Sequence, residues 1–306
     1  MARSCRIFTS AALALCALCI AVPAFAISVP IGSGFSAAWY DPARSGEGYM
    51  LEILHGDAAL LDWYTYDEAG NPRWLQSVGT IEHAAFGDSI RFADLYAVHG
   101  GHFGPDFDPD DVVKDRVGDA TMTFSDCNSG TFGYHAFGQS QTLPIARLTR
   151  TMALGCNELN GVPGEPVQDY AGQSGAWYDT SHAGEGFDLH LIASGGAVVT
   201  WYTFDSDGNP YWMIGTGTVE QGTITFEGLD APHGARFGEA FDPDDVIHMP
   251  WGSLTMTLGC DSGTAHYESS VEGFDSGDFT LTRLTQPIGL ACPYVKPKLS
   301  DLYDIT

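Results

Sequence analysis

Two tandem all-β domains, each an antiparallel up-and-down barrel or closed sandwich of about eight strands, are what this sequence of 306 residues predicts. Three observations lead there. The chain repeats itself: WYTYDEAGNPRW from Trp63 returns as WYTFDSDGNPYW from Trp201, and at the same offset of 138 Trp39-Tyr40-Asp41 meets Trp177-Tyr178-Asp179 and Gly46-Glu47-Gly48 meets Gly184-Glu185-Gly186. Side chains alternate with period two in GYMLEIL and GFDLHLI, and ALLDWYTY and AVVTWYTF are rich in β-branched and aromatic residues. Each copy also carries two cysteines at matched places.

In chain order, residues 1–26 read as a secretory leader. Arg3 and Arg6 precede the apolar run AALALCALCIAV, too short to span a bilayer, and Ala24-Phe25-Ala26 offers a cleavage site. Repeat 1 occupies 32–157, a Gly-, Pro- and acid-rich linker 158–171, repeat 2 172–293, and a tail 294–306. The offset falls to 134 where FGPDFDPDD from Phe103 meets FGEAFDPDD from Phe237, and becomes 136 where ARLT from Ala146 meets TRLT from Thr282. Such shifts are loop insertions between strands, and so long a period means complete domains rather than a solenoid.

Candidate strands in repeat 2 are 175–179, 185–193, 197–204, 210–218, 222–228, 252–258, 263–270 and 278–284. Eight antiparallel strands suffice to close a small barrel. YDEAGNP and FDSDGNP read as hairpin turns, with Gly-Asn accepting unusual backbone angles and Pro72 or Pro210 opening the return strand. Trp63 with Trp74, and Trp201 with Trp212, are then expected to straddle the turn and share one buried face. Without the leader, four cysteines remain, and their placement predicts the disulfides Cys127–Cys156 and Cys260–Cys292, made in an oxidising compartment.

The formal charge is −26. It repels nucleic acid and anionic membrane surfaces, so neither nucleic-acid binding nor membrane insertion is expected. With 44% apolar residues the chain can bury a core in each half. Localisation reads as secreted or periplasmic; the sequence does not fix an oligomeric state.

GAWYDTSHAGEGF, WYTFDSDGNPYW and the closing LTRLT with its later Gly and Cys resemble an uncharacterised repeat of exported bacterial proteins. That repeat has an SGxWYxPxxSGxGF opening, a WxTYDxxGxxxW hairpin and a cysteine-bearing end. The resemblance implies an exported β-repeat and brings no reaction with it. A fainter likeness to avidin- and lipocalin-type barrels rests on Gly175-Ala176-Trp177, which the first copy lacks.

Glu47 and Glu185, flanked by glycines at the mouth of a strand, have three readings: structural ion pairs with Arg147 and Arg283 on the last strands, ligand contacts, or general acid or base catalysis. Trp39, Trp177, Trp74 and Trp212 join the glutamates as ligand-binding candidates. Asp108, Asp110, Asp242 and Asp244 in the DPDD loops are calcium candidates, though neither loop has the DxDxDG spacing. No other metal or cofactor is predicted. His99 and His233 recur, but His102 is matched by Arg236, so a shared HxxH zinc pair is excluded and loop hydrogen bonding is the expected role. GxSxG is missing and no Ser-His-Asp set is common to both copies, so no catalytic residue is nominated. The first functional reading is a secreted, non-enzymatic binding protein for a carbohydrate or small apolar ligand. A structural or surface-interaction module is the second, and a hydrolase the third.

Overall fold

The computed structural model describes residues 29–85, 87–105, 107–156 and 168–293. The predicted leader, the 294–306 tail and most of the 158–171 linker lie outside them. The first half is a closed antiparallel barrel of β1 (Ala37–Tyr40), β2 (Gly48–Leu54), β3 (Ala58–Tyr66), β4 (Pro72–Glu82), β5 (Ser89–His99), β6 (Val113–Asp126), β7 (Ser129–Ala136) and β8 (Gln139–Arg147). The second repeats it with β9 (Gly175–Asp179), β10 (Gly186–Leu191), β11 (Gly196–Phe204), β12 (Pro210–Glu220), β13 (Thr223–His233), β14 (Ile247–Leu258), β15 (Ser262–Ser269) and β16 (Ser276–Arg283). Each strand expected in repeat 2 is present. The largest departures are at β13 and β14, which run several residues farther toward each other through the segment read as loop. Among the described residues no helix is long and apolar enough to cross a membrane.

Closure follows from the first strand pairing with the last: Trp39 lies opposite Arg147, and Trp177 opposite Arg283. Bulges interrupt β4–β5 and β5–β6, and their counterparts β12–β13 and β13–β14, adding the local bend that a closed sheet of eight strands needs. Disulfides join Cys127 to Cys156 and Cys260 to Cys292, with Cα separations of 5.7 and 5.3 Å, one within each half.

Both lumens are filled. Trp63 packs on Tyr49, Phe132 and Tyr134, and Trp201 on Phe187, Trp251, Tyr267 and Phe279. Volume is conserved across the repeat by exchange. Phe132 faces Leu143 across β7–β8, whereas Ala265 faces Phe279 across β15–β16, so large and small side chains have changed strands.

The barrels are also docked by reciprocal contacts, as in an isologous dimer written into one chain. Each sends a phenylalanine into the other's core: Phe103 reaches Trp201, Tyr267 and Phe274, and Phe237 reaches Trp63, Tyr134 and Phe137. The repeated hairpins hold these plugs. Gly234 donates its N–H to the Gly70 carbonyl and Gly100 to that of Gly208, both at 2.8 Å, while Trp74 Nε1 donates to the Thr203 carbonyl and Trp212 Nε1 to that of Thr65. After the last strand of each barrel, Met152 donates to Leu191 of β10 and Ile288 to Ile53 of β2.

This docking corrects the expected tryptophan arrangement. In β3–β4 Trp63 lies opposite Leu75 and Tyr64 opposite Trp74, so Trp63 points into the lumen and Trp74 away from it. A register one residue from the expected pairing reverses the face. Trp74 and Trp212 are nonetheless buried, because the other barrel covers that outer face.

Candidate functional site

The strand faces that meet between the barrels leave two clefts related by the repeat. The larger has a volume of about 340 Å³ and is lined by Tyr40, Glu47, Tyr64, Leu148, Trp212 and Ile214, among others. Its counterpart, about 190 Å³, is lined at the equivalent positions by Tyr178, Glu185, Tyr202, Leu284, Trp74 and Gln76. The replacement of Ile214 by Gln76 and of His248 by Lys114 makes the smaller one more polar.

Glu47 and Glu185 therefore occupy matched sites, but the expected pairs with Arg147 and Arg283 do not form. Those arginines share the lumen side of Trp39 and Trp177, over whose rings they lie at 5.0 and 4.8 Å, and they donate to the carbonyls of Gly34 and Gly172. Burial pushes the Arg147 guanidinium down to about 10. Glu47 instead binds Arg44, three residues earlier, with Nε to Oε1 at 2.5 Å, and accepts from Thr65 Oγ1 at 2.8 Å. Burial raises the Glu47 carboxyl, and Arg44 opposes that rise. Arg44 in turn donates to the Gly238 carbonyl and lies 4.3 Å over the Phe241 ring, both from the second half.

At Glu185 the arginine is replaced by His182, whose Nδ1 stands 3.7 Å from Oε1, too far for a hydrogen bond. The hydroxyl of Thr203 donates to Oε2. Burial pushes the Glu185 carboxyl up to about 8, so it is largely protonated at neutral pH. The flanking glycines have a packing reason: Gly46, at φ +110, and Gly184, at φ +129, leave room for Val246 and Val112 of the opposite barrel. A side chain at either glycine would meet those valines.

Between the clefts lies a sealed polar cluster that the sequence reading missed. Asp62 and Asp188 lie side by side across the barrels, Tyr64 donates to Asp188 at 2.5 Å, and Gln76 donates to Asp62 at 2.9 Å. Burial pushes Asp188 up to about 7 and Asp62 well above its ordinary range; Glu52, bonded to Thr285, is pushed up to about 8. His190 is fully buried with neither ring nitrogen hydrogen-bonded, and burial drives its imidazole down to about 4. One signal was available. These residues sit at outward positions where the repeats differ, Asp62 against Thr200, Asp188 against Met50 and His190 against Glu52.

The other sequence candidates are distributed elsewhere. Trp39 and Trp177 belong to the lumens and donate to the carbonyls of Phe35 and Gln173. All seven tryptophans are buried, and of the predicted candidates Trp212 borders the larger cleft and Trp74 the smaller. Asp108 and Asp242 cap short 3-10 turns by accepting from Asp110 and Asp244 at 3.0 Å. Among the described residues no three His, Cys, Asp or Glu side chains are grouped to hold a metal ion. His99 bonds Asp115 at 3.1 Å. No protein-family model matches the chain, and no curated protein matches it significantly.

Proposed function

We propose that this is an exported binding protein whose ligand is a small, predominantly apolar molecule held between the two barrels. The observation that carries the reading is the larger cleft. Its volume of about 340 Å³ falls at the lower end of small-molecule sites, and aromatic and aliphatic walls surround a few polar groups. The filled lumens speak against a site in the barrel interior, the place that an avidin- or lipocalin-like likeness implies. The disulfides fit an extracellular or periplasmic setting, to which the predicted leader would direct the chain.

A second reading, an interaction module without a small ligand, draws support from the burial of every tryptophan and from the extent of the reciprocal docking. A hydrolytic reading is weaker. The Asp62–Asp188 pair resembles a shared-proton dyad in chemistry, but each residue is 1% exposed and no substrate reaches it in this arrangement.

Native mass spectrometry of the mature protein from its exported fraction, followed by titration with anilinonaphthalene sulfonate, tests the first reading. One copurified molecule or one saturable probe site per chain is expected. Leu148→Trp, at a residue 56% exposed on the rim, is expected to abolish it while leaving the melting temperature in place. Absence of any ligand and of probe binding would favour the module.

A further inference from the structure

We propose that the smaller cleft is a second binding site, for a small organic cation, whose ammonium or guanidinium group is met by Glu185. The chain carries its own template for such a complex. In the first half a guanidinium is held by three groups at once: the Glu47 carboxylate, the Gly238 carbonyl at 3.0 Å and the face of Phe241 at 4.3 Å. The repeat supplies the counterparts of all three, Glu185 from the second half with Gly104 and Phe107 from the first, and sets His182 where Arg44 stands. His182 packs edge-on against Phe107, 4.9 Å between ring centroids, and its buried Nδ1 has no hydrogen-bond partner.

Glu185 is 4% exposed and lines a cleft walled by Trp74, Tyr178 and Tyr202. A buried carboxyl bordered by aromatic side chains, among them the partly exposed Tyr178, is the chemistry that favours an ammonium or guanidinium over a neutral molecule. Without a cation the carboxyl is pushed up to about 8 by burial, with Asp179 adding to the rise and the Thr203 hydroxyl opposing it. A bound cation restores the ionised form. The overall charge of −26 raises the local concentration of cations around the mouth. Lys114 also lines this cleft, with an exposed side chain, and it competes with the ligand there. The volume of about 190 Å³ limits the ligand to a compact molecule.

The experiment is calorimetric titration of the full mature chain with methylguanidinium and with n-propylammonium chloride, at constant ionic strength. One site per chain is expected. Glu185→Gln, similar in shape, should weaken it at least about tenfold, and Lys114→Met should strengthen it. His182→Arg supplies the missing internal cation, and is expected both to abolish binding and to raise the melting temperature. Leu148→Trp, which closes the larger cleft, should leave cation binding unchanged, so this proposal and the apolar-ligand reading fail separately. Saturable binding that survives His182→Arg, or none in wild type and Lys114→Met alike, overturns the proposal.

Discussion

The two barrels share their lumen tryptophans and the hairpins that dock them, and differ at a set of positions on the faces that meet. Trp63 and Trp201 occupy the same lumen position, and even the Phe132–Leu143 pair is rebuilt as Ala265–Phe279 with the large residue on the other strand. On the facing surfaces Arg44 is answered by His182, Asp62 by Thr200, Met50 by Asp188 and Gln76 by Ile214. What is shared specifies the barrel and the docking geometry, through the hairpins and the exchanged phenylalanines. What differs sets the chemistry of the facing surfaces: two of the differing positions, Asp62 and Asp188, bring one carboxyl from each barrel together. Interface chemistry is therefore concentrated in the departures from the repeat.

The largest effect expected is from the shared part. Trp201→Ala removes a fully buried side chain packed among Phe187, Trp251, Tyr267 and Phe279, and should cost about 3–5 kcal/mol. Trp63→Ala should cost a similar amount. Denaturant unfolding measures both, and an unshifted transition would show that the tryptophan is not core. Amide exchange after Phe103→Ala probes the exchange of plugs, since protection should fall in β11 and β15, in the barrel that does not contain residue 103.

Next comes the asymmetry of the clefts. Arg44→Ala leaves the Glu47 carboxyl buried without its cation and should cost about 3 kcal/mol. His182→Ala removes a ring that makes no hydrogen bond to Glu185, and should cost less than about half as much. Chemical denaturation of the two variants decides the matter. Equal losses would mean that the clefts are energetically equivalent and that His182 holds Glu185 as Arg44 holds Glu47.

The strands and disulfides were legible because period-two alternation and duplicated cysteines are local signals that the second copy repeats. Side-chain direction was not. Trp74 shares a face with Trp63 only if the two lie opposite each other, and nothing local distinguishes 63 opposite 74 from the observed 63 opposite 75. The arginine assignment failed for a related reason. First and last strands do close the barrel, yet Arg147 points to the lumen side with Trp39, while Arg44, in a loop, lies beside Glu47. The docking of the barrels was written in the repeated hairpin and in the two FG segments. Reading it required knowing that the outer face of β3 is covered, which no single strand pattern reveals.

A smaller effect follows from the interbarrel carboxyls. Burial raises Asp188 to about 7 and Glu52 and Glu185 to about 8, against an ordinary value near 4 in the unfolded chain. Between about pH 4 and 8 the folded protein therefore holds more protons than the unfolded one, so its stability falls as pH rises through that window and levels off above it. Melting temperatures from pH 5 to 9 should decline. Asp62→Asn, which keeps a hydrogen-bonding group against Asp188 without its charge, should flatten the decline. A curve that rises with pH in this range would mean that these carboxyls are ionised in the folded state.

The smallest difference expected is between two tyrosines that the repeat makes equivalent. Tyr64 donates its hydroxyl to Asp188 at 2.5 Å, whereas Tyr202 lines the smaller cleft beside Gln76, a neutral amide. Removing a hydroxyl from a neutral pair costs about 1 kcal/mol, and removing one from an ionised partner costs more. Tyr202→Phe should therefore lower stability by about 1 kcal/mol at every pH. Tyr64→Phe should match it near pH 5, where Asp188 is protonated, and exceed it above pH 7, where the carboxylate loses the donor that stabilises its charge. The readout is the gap between the two variants in denaturant unfolding at the two pH values. A constant gap would show that Tyr64 does not answer to the ionisation of Asp188, and that the polar cluster on that side of the interface is held by packing alone.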